Sequence, residues 1–254
     1  MSFGRNVPKL HILKIIFISD MIKSGERRRK DKILKVVVFD SGFGGELFAD
    51  LLEEELPILE VIRVIDWRHA DQILKSAKTA RLAAVEALRP YIGTVDLIVF
   101  ANHLLTLTSI NYFRQKYKNQ KFIGFNLKNP DTFVDQKLLI LTTSAVAHLL
   151  KYHKFIHQLK RQVTTLTVDD WPAKIDDGEL SADEIRATIS RFTIAKNYNP
   201  SGVILACAQL NDIIVDLEKA FPQKVRFHSS FDDTFRDVCK VLRIRGGLRK
   251  IVKS

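Results

Sequence analysis

The chain alternates short apolar runs with longer amphipathic stretches, from Ile33 to Leu242. The runs are rich in β-branched residues and carry few polar interruptions, as in Ile33 to Phe39, Leu59 to Ile65 and Leu97 to Phe100. Continuous apolar runs this short are buried on both faces, which a parallel sheet covered by helices requires. Phe122 to Phe125, Leu138 to Leu141, Val163 to Val168, Gly202 to Cys207 and Val225 to His228 continue the series. Helical stretches fall between them, at about Glu46 to Leu56, Ser76 to Leu88, Asn102 to Tyr117, Ala145 to Leu159, Ser181 to Ala195, Asn211 to Phe221 and Phe231 to Leu242. Ser181 and Glu184 have the spacing of a capping box. Alternation of this kind predicts an α/β protein with parallel sheets. Two series of similar length predict two similar Rossmann-like lobes with a ligand cleft between them. The expected division is a basic extension over 1–32, a first lobe over 33–130 completed by a closing helix over 231–245, and a second lobe over 131–230. Asn126 to Gln136 is the expected crossing segment.

Charge separates the ends from the body. The 254 residues carry a net +11, with ten basic against three acidic side chains in 1–35 and six against none in 240–254. The body is therefore slightly acidic, which is not the footprint of a domain that reads nucleic acid on a folded face. The basic ends are expected to be solvated, with weak nonspecific contact to nucleic acid or an anionic surface as the alternative. Two cysteines, Cys207 and Cys239, exclude a disulfide scaffold and fit a reducing compartment. No apolar run reaches the roughly 18 residues of a membrane span, and the first 35 residues lack the order of a secretory signal. A cytoplasmic location is the expectation, with Met21 an alternative initiator.

In an open parallel sheet, ligands bind beyond the carboxyl ends of the strands. After the first run stands Asp40-Ser41-Gly42-Phe43-Gly44-Gly45. It is neither a Walker loop nor a G-x-G-x-x-G fingerprint; by composition alone it is a tight strand–helix turn with free amides. His148, His153 and His157 lie on or near one helix, but no glutamate intervenes as a zinc helix needs, and a solvated Lys-His face is expected. Trp171-Pro172 to Gly178 reads as a surface loop, and Cys239 as a packing residue.

The string KVVVFDSGFGG resembles the opening of the cofactor-independent aspartate/glutamate racemase superfamily, glutamate racemase in particular. That family begins with a strand followed by F-D-S-G-x-G-G, and every fixed residue is present from Phe39 to Gly45. DLIVFANHLL stands where the family has D-x-I-V-x-A-C-N-T, and GVILACAQL where it has L-I-L-G-C-T-H-Y. The resemblance implies a two-base reaction without metal or pyridoxal phosphate. Two cysteines, one per lobe, would flank the α-carbon of a small amino acid or dicarboxylate, and a homodimer is possible.

The carry-over is incomplete. Asp40 and Ser41 match the family's substrate-facing pair, and Cys207 its second cysteine, which leaves Cys207 and Asp40 as the candidate catalytic groups. Asn102 takes the place of the first cysteine; His103 and Leu104 replace the polar residues that follow it, and Ala208 and Gln209 replace those that follow the second cysteine. Asp40, Ser41, Asn102, His103 and Gln209 are the expected substrate-binding set. The family's P-Y-G landmark is absent, and the chain reads DWRHADQIL there. An amide is no acid or base near neutral pH, so the resemblance implies little or no ordinary racemase activity. Two alternatives stand beside it. One is a single-cysteine isomerase or decarboxylase using Cys207, the other a non-catalytic binding or regulatory protein. His103 could supply a base, but a one-residue step after a strand turns a side chain elsewhere, so packing is its expected role.

Overall fold

The computed structural model describes residues 33–70, 73, 76–125 and 134–244. The basic extension over 1–32 and most of the crossing segment lie outside the described residues. The first series runs β1 (Leu34–Asp40), α1 (Gly44–Glu55), β2 (Leu59–Ile65), α2 (Ala77–Leu88), β3 (Leu97–Phe100), α3 (His103–Lys116) and β4 (Phe122–Gly124). The second runs β5 (Lys137–Thr142), α4 (Ser144–Ala147), α5 (Leu150–Gln158), β6 (Gln162–Thr167), α6 (Trp171–Asp177), α7 (Ala182–Lys196), β7 (Gly202–Leu205), α8 (Ile214–Ala220), β8 (Arg226–Ser229) and α9 (Ser230–Leu242). They build two four-stranded sheets of the same order, β2-β1-β3-β4 and β6-β5-β7-β8. Every pairing is parallel, with Val38 opposite Arg63 and Val99, and Ile140 opposite Thr165 and Ile204.

Period-two alternation explains why the central strands are apolar throughout. Val36 and Val38 join Phe48 and Leu52 of α1 and Phe231, Phe235 and Val238 of α9 on one face. Val37 and Phe39 pack on the other face with Ala80, Ala84 and Leu88 of α2 and Leu105 and Phe113 of α3. Sheet two repeats the scheme: Leu139 and Leu141 meet Trp171, Ile185, Ile189 and Leu217. Leu138 and Ile140 meet Val146, Tyr152 and Phe155, and these belong to the same apolar cluster as Val37 and Phe39. The lobes thus share one apolar seam. Helix starts follow their capping residues: Ser76, Asn102, Ser181 and Ser229 each accept an amide at a helix N-terminus. Glu184 does not close the capping box; its carboxylate accepts from Lys174.

Three expectations need correction. The helix over Ala145 to Leu159 is two pieces, broken where Leu149 is extended. Asp169 accepts from both the amide and the hydroxyl of Ser144, which anchors the first turn to the loop after β6. Trp171 to Gly178 is not a surface loop but helix α6, with Trp171 buried at 2% exposure. Pro172 sits in its first turn and Gly178 caps it in the left-handed region at φ 72°, the normal punctuation of a helix. The segment expected as a helix from Asn211 begins instead as a 3-10 turn over Ala208–Asn211, followed by α8.

Candidate functional site

Asp40 is the last residue of β1 and is fully buried. Its Oδ1 accepts from the Ser41 amide at 2.6 Å and from Asn102 Nδ2 at 2.8 Å. Asn102 follows β3, which pairs directly with β1, so the two strand ends deliver these side chains side by side. Asn102 Nδ2 also lies 3.4 Å from Ser41 Oγ, and its Oδ1 accepts from the Leu105 amide at 3.0 Å. Both ends of the Asn102 amide are therefore committed, one to the carboxylate and one to capping α3. Burial pushes the Asp40 carboxyl up to about 7; the donors from Asn102, Ser41 and Gly45 oppose this, and the nearby Asp176 charge adds to it.

The second lobe presents Cys207 after β7, in extended conformation, at the start of the 3-10 turn. Its Sγ lies 3.1 Å from Gln209 Oε1, to which the thiol donates. Burial pushes the Cys207 thiol up to about 12, and the charges of Asp40 and Asp176 push the same way. Asp176, on α6, accepts weakly from the Phe43 amide at 3.5 Å. Burial raises it to about 6, against donors from Phe43 and Gln209. Asp212, just past the 3-10 turn, is also raised by burial.

Two of the three glycines after β1 record how closely the lobes approach. A Cβ on Gly42 would stand 2.5 Å from Gln209 Nε2, and one on Gly44 would stand 2.3 Å from Ala208 Cβ. Such distances admit glycine alone without movement. Asp40, Ser41, Asn102, Cys207 and Gln209 therefore converge where the carboxyl ends of the two sheets meet.

His103 does not join them. It is the first residue of α3 and is turned into the first lobe, with Nε2 3.1 Å from Ser230 Oγ and its ring 5.6 Å from Phe125. Burial pushes its imidazole down to about 3, so it is neutral. This burial fits the packing role expected of His103, because the helical step after Asn102 points the ring at α9. The histidines of α5 stand elsewhere: His153 and His157 are exposed.

Asp176 is the site residue the sequence reading missed. Its signal was the Pro172-to-Gly178 helix punctuation, which a loop reading passes over. Beyond β2, where P-Y-G is absent, Asp66 is buried and its Oδ2 lies 2.6 Å from His69 Nδ1.

No protein-family model matches the chain, and no curated protein matches it. Solved structures do. The chain is similar to glutamate racemase of Escherichia coli, solved with L-glutamate, at 20% identity over 88% of this chain and 87% of that one, with a TM-score of 0.73. Glutamate racemase of Campylobacter jejuni matches at 21% identity over 85% and 88%, with a TM-score of 0.69. An aspartate racemase of Picrophilus torridus matches at 15% identity over 86% and 96%, with a TM-score of 0.57. Identities this low carry the architecture and not the chemistry. The chain has the two-lobe α/β fold of these glutamate and aspartate racemases.

Proposed function

We propose that this chain binds a small amino acid or related carboxylate between its lobes and lacks a two-thiol proton relay. The observation that carries this reading is the position of Asn102. Its amide is held by Asp40 on one side and by the start of α3 on the other. In the resemblance the first thiol belongs at that place, and an amide transfers no proton near neutral pH. The state of Cys207 supports the same reading. A thiol pushed up to about 12 has almost no thiolate at pH 7, and thiolate is the working base. Gln209, where the family carries histidine, supplies no charge to lower it. The ligand class is supported by neighbours solved with L-glutamate and with D-glutamate.

A second reading keeps one proton carrier. Asp40, raised to about 7, is matched to neutral pH as an acid or base. With Cys207 as a proton donor opposite, it would support isomerase or decarboxylase chemistry on a small carboxylate. Incubation of the protein with single-enantiomer amino acids in deuterated water separates the readings. The first predicts neither racemisation nor α-deuteration above background. The second predicts α-deuteration lost in Asp40→Asn.

A further inference from the structure

Among the described residues, the charges that face one another where the lobes meet beyond their strand ends are all of one sign. The first lobe contributes Asp40, Ser41 and the backbone of Phe43. The second contributes Asp176, Cys207, Gln209 and Asp212. The charge acting on Asp40 is that of Asp176; those acting on Asp176 are Asp177 and Asp212; those acting on Cys207 are Asp40 and Asp176. Other described ionisable groups on the adjoining elements pair among themselves: Asp66, whose amide donates to the Asp40 carbonyl, holds His69, and Lys174 of α6 holds Asp170 and Glu184. Glu46 of α1 pairs with Arg63 at 3.1 Å, and His103 of α3 with Ser230. Within this contact, Asp40 Oδ2 and Asp176 Oδ1 are enclosed without a hydrogen-bond partner. Lobe contact is nevertheless tight, through Gly42 against Gln209 and Gly44 against Ala208.

A different part of the structure holds the lobes by apolar packing. The cluster containing Val37, Phe100 and Phe113 of the first lobe also contains Ile140, Tyr152 and Ile204 of the second. Lys151 of α5 donates to the Leu107 carbonyl of α3 beside it. That seam does not depend on the charge state of Asp40 or Asp176.

We infer that the Gly42–Gly44 contact is a proton-dependent latch: the lobes close when Asp40 and Asp176 are protonated, and the cleft opens about the apolar seam when they ionise. The sign follows from burial. Closed, the two carboxyls titrate at about 7 and about 6; solvated, they return toward the ordinary value of 3.8. The closed form therefore binds more protons, and closure weakens as pH rises from about 4 to about 7. Above that range both carboxylates are charged, Asp40 fully buried and Asp176 with one oxygen enclosed, and the amide donors around them only partly offset the cost. Ligand entry to Cys207 is then gated by pH, whatever chemistry follows.

The test is hydrogen–deuterium exchange of the full chain at pH 5 and pH 8, corrected for the intrinsic pH dependence of exchange, with the radius of gyration measured in parallel. In the wild type, amides over 39–45 and 207–212 are expected to lose about tenfold or more of their protection at pH 8, and the radius of gyration to rise. Amides of Val36 to Val38 keep theirs, which separates opening from unfolding. Asp176→Asn keeps a polar group beside the Phe43 amide but removes the titration, and is expected to lose most of the pH response. Asp212→Asn serves in its place, with a smaller loss, if Asp176→Asn does not fold. Gly44→Ala forces a Cβ onto Ala208 and is expected to be open at both pH values. Equal protection at pH 5 and pH 8 in the wild type overturns the inference. So does a wild-type pH response in a folded Asp176→Asn.

Discussion

Asn102 holds Asp40 with one end of its amide and the start of helix α3 with the other, at 2.8 Å and 3.0 Å. One side chain thus links a buried carboxyl to a helix terminus at the carboxyl edge of the first sheet. Structural and chemical roles coincide there, and substitutions at Asn102 test both.

Asn102→Ala removes the cap and the donor to Asp40 together. Loss of a helix cap costs about 1 kcal/mol, and loss of a hydrogen bond to a buried carboxyl adds about 1 to 3 kcal/mol. Chemical denaturation is expected to show a loss within the sum of these. Asn102→Asp keeps the cap but sets a second carboxyl against Asp40. Its stability is expected to fall more steeply with rising pH than that of the wild type.

Asp40 also sets the pH dependence of folding. Its pKa is raised from 3.8 to about 7 in the folded state, so the folded state binds more protons between those values. Stability is then expected to decline from about pH 4 to pH 7 and to level off above. Asp40→Asn removes that group's share of the decline, to be read as a flatter curve of melting temperature against pH. An unchanged slope in the variant contradicts the assignment.

Trp171→Ala tests α6 as a structural element rather than a loop. Trp171 is buried in the cluster with Leu139, Leu141 and Ile185, and such truncations cost about 3 to 5 kcal/mol. Loss of α6 also withdraws Asp176 from Phe43, so ligand affinity is expected to fall with stability. A change below 1 kcal/mol would place Trp171 on a surface after all.

The strands were legible because their residues had no alternative. Runs such as Val36 to Phe39 and Ile98 to Phe100 are buried on both faces, and few other structures accommodate them. Asp40, Ser41, Asn102 and Cys207 were legible by position, as residues at or just past the carboxyl ends of strands. Asp176 was not, because it stands on a short helix whose contact with Phe43 depends on how two lobes pack. Nor was the close approach of Gly44 to Ala208, which joins residues remote in sequence. The break at Leu149 carries no glycine or proline to mark it, and the Asp169 contact that anchors Ser144 ahead of it joins the start of α4 to the loop after β6.

Cys207 gives a direct readout of its own state. With the thiol pushed up to about 12 by burial and by Asp40 and Asp176, alkylation by iodoacetamide is expected to be slow at pH 7 and to accelerate through pH 8 and 9. Asp40→Asn removes one of the opposing charges and is expected to speed it. A fast rate independent of pH between 6 and 8 would mean a stable thiolate and contradict the environment described.

The central proposal is that this chain carries no two-thiol relay, and racemisation in deuterated water tests it most directly. L-glutamate, D-glutamate, L-aspartate and D-aspartate are each incubated with the protein, then resolved by chiral chromatography and mass spectrometry. The account predicts no enantiomer interconversion above a protein-free control, for the wild type and for Cys207→Ser alike. Interconversion with one deuteron gained at the α-carbon, abolished in Cys207→Ser, would contradict it.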